Sequence, residues 1–223
     1  MHAVGIDIGG TKIAGALVDE QGQIHNELKV SSPIDDADQM LETIASLVAE
    51  LTAGQVIAGV GVAAAGFMSK DREIMYHAPN ISAWRNEPLK KRLETKLGQP
   101  VMLENDANAA GWAEFRFGAG AKSSSMIMIT IGTGLGGAII SDGVLLKGGF
   151  GIGGALISGN AADQQQAFGS YVETHGSRPS LHSRPGPPSP CSPTVLSQMR
   201  QGPHHMREPL LLADMLRNAL RRT

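Results

Sequence analysis

The stretch AVGIDIGGTKIAGALV, residues 3–18, decides the fold class. Two apolar runs of strand length, Ala3 to Ile8 and Ile13 to Val18, are joined by Gly9-Gly10-Thr11-Lys12, a link short enough to force a reversal. A second turn at Glu20-Gln21-Gly22-Gln23 leads into a third strand, Ile24 to Val30. The hydrophobic period then changes. Met40, Ile44, Leu47, Val48 and Leu51 share one face of a helix near Asp36 to Leu51. Val56 to Ala64 reads as a strand buried on both faces. After a long loop, Glu87 to Leu97 is amphipathic, followed by strand Val101 to Glu104, helix Asp106 to Phe117 and strand Met126 to Ile131. Gly132 to Gly137 reads as a turn, and Ala138 to Ser141 begins another strand. Three antiparallel strands followed by alternating helix and strand predict a mixed α/β layer.

The chain has 223 residues, 19 Lys and Arg against 21 Asp and Glu, a formal net charge of -2 and 42% hydrophobic residues. That length buries a real core, in one large domain or two small ones. Near-neutral charge offers no footprint for nucleic acid or an anionic membrane, and no run of about 18 apolar residues is present to span a bilayer. The N-terminus enters a strand without a basic segment, so no signal peptide and a cytoplasmic location are expected. A lone Cys191 excludes an internal disulfide and a multi-cysteine zinc site within these residues. Composition breaks near Gly153. Residues 1–153 carry all eight lysines and 22 of the 28 glycines, whereas residues 154–223 carry eight of the twelve prolines, seven arginines and no lysine. Ser177 to Pro209 lacks apolar periodicity and predicts loop or disorder.

The turn that joins the first two strands has chemistry as well as geometry. Adjacent glycines at Gly9 and Gly10 let backbone N–H groups approach an anion, with Thr11 and Lys12 beside them and Asp7 placed to hold a hydrated Mg²⁺. Gly132-Thr133-Gly134-Leu135-Gly136-Gly137 repeats the pattern. No GxxxxGK[ST] string occurs, and the second turn leads into a strand rather than a helix, so neither a Walker A loop nor a dinucleotide fingerprint is present. Each turn is a phosphate cradle or simply a tight hairpin. Between them, Asp106 opens an Ala-rich helix at the end of a strand. A carboxylate there is either a helix cap or a general base that takes a hydroxyl proton during attack on phosphorus. In the second case Asn105 orients the same substrate.

DIGGTK (7–12), AAAGF (63–67), HAPNISAW (77–84), ENDANAA (104–110) and IGTGLGGA (131–138) stand in the order and spacing of the ROK family, which the chain resembles over residues 1 to about 153. The family comprises bacterial sugar kinases and related repressors, and the match is nearest to its ATP-dependent glucokinases. The resemblance implies an α/β, actin-like ATPase (ribonuclease H-like) fold: an N-terminal domain over residues 1–118, the start of an incomplete second domain over 119–153, and a divergent tail over 154–223. It implies that Asp7, Gly9, Gly10, Thr11 and Lys12 form one phosphate loop and Thr133, Gly134, Gly136 and Gly137 the other, clasping ATP and Mg²⁺. Gly66, Asn80, Asn105 and Asp106 then face the sugar, with Asp106 as the base. The implied reaction is transfer of the ATP γ-phosphate to the 6-hydroxyl of glucose, with polyphosphate an alternative donor. The implied partners are a small-molecule sugar and a nucleotide; no nucleic acid or membrane partner is expected. The repressors carry a DNA-binding domain before the first phosphate loop, and only six residues precede Asp7 here.

The chain departs from the family after residue 152. Ala155, Ile157 and Ser158 stand where a Glu-x-Gly-His element grips sugar hydroxyls, and the cysteine cluster for structural zinc is missing. His175, His182, His204 and His205 do not rebuild it. Leu210 to Leu220 reads as a short amphipathic segment. A tail rich in Arg, Pro, Ser and His without Lys is expected of a shifted reading frame, with a lineage-specific ending as the alternative; the other two frames of the coding DNA separate them. A weak enzyme is therefore expected, or, alternatively, a catalytically impaired sugar-binding or regulatory relative.

Overall fold

The opening runs form β1 (His2–Ile8) and β2 (Lys12–Asp19), paired antiparallel from His2↔Asp19 to Ile8↔Ile13. The computed structural model describes residues 1–131 and 135–147. β3 (Ile24–Ser31) pairs antiparallel with β2, whereas β4 (Ile57–Ala64) runs parallel to the other edge of β1. Three further short strands follow: β5 (Phe67–Met68), β6 (Met75–His77) and β7 (Arg85–Glu87). β8 (Val101–Asn105) then joins β4 in parallel, giving the five-stranded order β3-β2-β1-β4-β8.

Alternation along these strands sorts the two faces of the first sheet. Val4, Ile6 and Ile8 of β1, Val60, Val62 and Ala64 of β4, and Val101 and Leu103 of β8 join one buried cluster. It is completed by Met40, Ile44, Leu47 and Leu51 of α1 (Ala37–Thr52) and Leu89 and Leu93 of α2 (Leu89–Leu97). Asp36 caps α1, its Oδ1 accepting from the N–H groups of Asp38 at 2.9 Å and Gln39 at 3.0 Å. The opposite face carries small residues, and α3 (Asp106–Phe117) lies there with Ala109 and Ala113 against Ala63.

A second sheet has the order β11-β10-β9, built from β9 (Met126–Ile131), β10 (Leu135–Ser141) and β11 (Val144–Leu145). It packs on the other flank of α3, where Trp112 meets Ile140. The two surfaces nearly touch, since a Cβ on Gly111 would stand 2.2 Å from that of Ala138.

Three expectations need correction. The long loop after β4 holds the three-stranded sheet β5-β6-β7. α2 begins at Leu89 rather than Glu87: Glu87 ends β7, and a residue before proline, here Pro88, is kept out of the helical region. Gly136 and Gly137 lie inside β10, not in a turn; a Cβ on Gly136 would stand 2.8 Å from Thr130 Oγ1 and 2.9 Å from Ala107 Cβ, so the strand needs glycine to pass α3. Thr133, Gly134, Ala155, Ile157, Ser158, Cys191, the four tail histidines, the tail itself and the Leu210 to Leu220 segment lie outside the described residues.

Candidate active site

β1, β4 and β8 all end at the same edge of the first sheet, and register sets Asp7, Ala63 and Glu104 side by side. The next row is Ile8, Ala64 and Asn105, after which β8 turns directly into α3. The parallel strands therefore deliver Asp7 and Asp106 to one corner. Burial, and then the charge of Asp106, push the Asp7 carboxyl up to about 6. Burial also raises Asp106, against hydrogen bonds that favour its ionised form. Two neighbouring carboxylates, one hindering the ionisation of the other, suit a divalent cation or a proton acceptor.

The helix cap and the candidate base are different residues. Asn105 Oδ1 accepts from the N–H groups of Ala107 at 3.1 Å and Asn108 at 3.2 Å, which is the capping work expected of a residue before a helix. Its Nδ2 donates to the Gly66 carbonyl at 3.2 Å, tying the turn to the β4–β5 connection. Asp106 is the first helical residue, and its Oδ1 accepts from Ala107 N at 2.9 Å.

The glycines expected at the site mark close approaches. At Gly66 a Cβ would stand 2.7 Å from both the His77 carbonyl oxygen and the Met75 sulfur. At Gly10 it would stand 2.7 Å from Asn80 Cβ, so the β1–β2 turn lies against the Asn80 loop. Gly9 N–H closes that turn on the Lys12 carbonyl at 3.0 Å, and the Thr11 carbonyl accepts from Ser32 N at 3.1 Å. Among the described residues nothing accepts from the N–H groups of Gly10 and Thr11. Thr11 and Lys12 are exposed beside them.

Sequence patterns gave no role to Arg72, Glu104 or Lys147, yet these form the most buried charge cluster in the described structure. Glu104 is 1% exposed; Arg72 Nε donates to its Oε1 at 2.8 Å, and Lys147 Nζ lies 3.1 Å from its Oε2. Arg72 is 32 residues from Glu104 in sequence, so no spacing signal could have linked them.

Comparison with known proteins matches residues 3–161 to the ROK family. The chain belongs to the ROK family. Its mixed α/β fold, with the first sheet ordered β3-β2-β1-β4-β8, is typical of the ROK and actin-like ATPase superfamily. The glucokinase of Streptomyces coelicolor is 48% identical over 145 residues, which cover 65% of this chain and 45% of that relative. The crystal structure of a ROK family glucokinase from Streptomyces griseus in complex with glucose and AMPPNP superimposes with a TM-score of 0.65 at 46% identity, covering 69% of this chain and 49% of the other. An inorganic polyphosphate/ATP-glucomannokinase from an Arthrobacter strain gives 0.61 at 36% identity, covering 78% and 71%. The chain spans about half the length of these two Streptomyces glucokinases. Among the described residues, no helix is long and apolar enough to cross a membrane.

Proposed function

We propose that this ROK chain carries the sugar-facing part of a hexose kinase, which transfers the ATP γ-phosphate to the 6-hydroxyl of glucose. The observation that carries the reading is the corner where Asp7, Asp106 and the Gly9-Gly10 turn converge. Asn105 takes the N-cap position, Asp106 accepts the Ala107 N–H through Oδ1, and its raised pKa makes it a stronger base than an ordinary carboxylate. It accepts the proton of the attacking hydroxyl. Gly66, Asn80 and Asn105 shape the sugar side, and Asn105 Nδ2 fixes the Gly66 carbonyl.

A nucleotide fits the β1–β2 turn because the Gly10 and Thr11 amides are open and Lys12 stands beside them. Magnesium fits Asp7, a hard oxygen donor whose ionisation is hindered by burial and by Asp106. When bound, nucleotide and metal supply the phosphoryl group and neutralise its charge. Thr133, Gly134, Gly136 and Gly137 form the opposing phosphate side in this reading, with residues 1–118 as one domain, 119–153 as the start of the next and the cytoplasm as the location.

Expression of the 223 residues and measurement of ATP-dependent glucose 6-phosphate formation test the proposal. Turnover below the usual enzyme range of about 1–10³ s⁻¹ is expected, because Ala155 and Ser158 replace two polar sugar contacts. Those substitutions favour a second reading, a sugar-binding relative without turnover. Calorimetric glucose binding with no product supports that second reading, and absence of both binding and product overturns both.

A further inference from the structure

We propose that Glu104 is a positioning residue, through which the Lys147 end of the second sheet holds the turn that presents Asn105 and Asp106. The proposal rests on the kinase reading only for what that turn presents to the sugar. Its structural content stands on one carboxylate.

Glu104 Oε1 accepts from Arg72 Nε at 2.8 Å, Asn105 N at 2.9 Å and Asn108 Nδ2 at 3.1 Å, and Arg72 Nη2 lies 2.7 Å away. Asn105 N–H is the backbone entry to the base turn, and Asn108 lies in the first turn of α3. One oxygen therefore grips both sides of Asp106. Arg72 is committed from its own side: it has a left-handed backbone at φ 61°, and both its N–H and its Nη1 donate to the Ser69 carbonyl at 3.0 Å. The Ser69–Arg72 turn thus acts as a fixed abutment.

The other oxygen reaches the second sheet. Lys147 follows β11, and its Nζ lies 3.1 Å from Glu104 Oε2. Its side chain is 38% exposed, whereas those of Arg72 and Glu104 are 6% and 1% exposed. Burial alone would push the Glu104 carboxyl up, but Lys147, Arg72 and the Asn105 N–H together hold it below its ordinary value. Removing one cation from such a group leaves buried charge less compensated, and the groups held by the carboxylate loosen with it. The second sheet meets α3 through close apolar contacts at Ala107, Gly111 and Trp112, and this ion pair adds a polar tie to the base turn.

Amide hydrogen exchange on the full chain tests this without any need for turnover. Lys147→Met should speed exchange in residues 103–110 by about tenfold and leave residues 12–31 of β2 and β3 unchanged, because local opening is reported segment by segment. Lys147→Arg should restore the protection. Glu104→Gln should loosen the same segment, and adding Lys147→Met to it should change exchange by less than about twofold, since coupled residues are not additive. If Glu104→Gln does not fold, the half-exposed Lys147 pair of variants carries the test. Unchanged exchange at 103–110 in Lys147→Met, or acceleration spread evenly over the chain, overturns the proposal. Glucose titration of the wild-type chain in the same experiment separates the two readings. Protection by glucose with no Lys147 effect removes the latch and keeps the sugar site. A Lys147 effect with no glucose binding keeps the latch and removes the kinase.

Discussion

The two sheets that flank α3 are stabilised in different ways. The first is covered by α1 and α2 on one face, with Ile6, Ile44, Leu47, Leu51 and Val62 fully buried, and by α3 on the other. The second turns Ala138 and Ile140 to α3, but on its opposite face Ile127 and Ile129 are 69% and 63% exposed among the described residues. One sheet has a core of its own, and the other borrows α3. The candidate base stands on the shared helix, so its geometry draws on both.

Damage to the first core should have the largest effect. Leu47→Ala should cost about 2–5 kcal/mol and lower the urea midpoint of the whole chain, because the cavity opens beneath β1 and β2. A transition in which only the second sheet melts would reverse the ranking. At the shared helix, Asp106→Asn in a catalytically competent chain should lower kcat by about 10² or more, with a smaller effect on KM, because an amide still hydrogen-bonds the ground-state sugar. Near-normal kcat would return Asp106 to a purely structural role.

Changes on the second side should be smaller and local. Gly111→Ala should cost about 1–3 kcal/mol by wedging α3 from β10, seen as faster exchange in residues 126–141. Adding Ala138→Gly should recover most of the loss. Asp7 carries a pH signature. Its folded pKa of about 6 lies above its ordinary 3.8, so ionisation weighs against the fold, and the penalty grows as pH rises from 3.8 through 6. Asp7→Asn should therefore raise Tm at pH 7.5, an advantage that disappears by pH 4. Ile127→Thr with Ile129→Thr should shift stability by less than about 0.5 kcal/mol per site, while reducing concentration-dependent light scattering.

Legibility followed the same division. α1 was readable because its apolar residues recur at helical spacing, β1 and β2 because each is an apolar run of strand length, and α3 from its alanine content. The sheet β5-β6-β7 was not, because strands of two or three residues contain no countable period. Gly136 and Gly137 were misplaced because glycine in a turn and glycine in a strand that skirts a helix look identical in sequence; only the nearby Ala107 and Thr130 separate them. Asp7 and Asp106 were legible as candidates from their position beside glycines and at a helix start. The Arg72–Glu104–Lys147 cluster was invisible, since its members come from three separate segments.

The missing side chain at Gly10 has one more consequence. Its turn and the Asn80 loop share a wall, with no atom between them to absorb a shift. A ligand that moves Asn80 does work on the Gly10 backbone, and a ligand drawn to the Gly10 amide does the same work on Asn80. Thermodynamic linkage makes the two effects equal, so each ligand alters the affinity of the other by one common factor. In the kinase reading, synergy or antagonism between sugar and nucleotide becomes a property of a single absent methyl group.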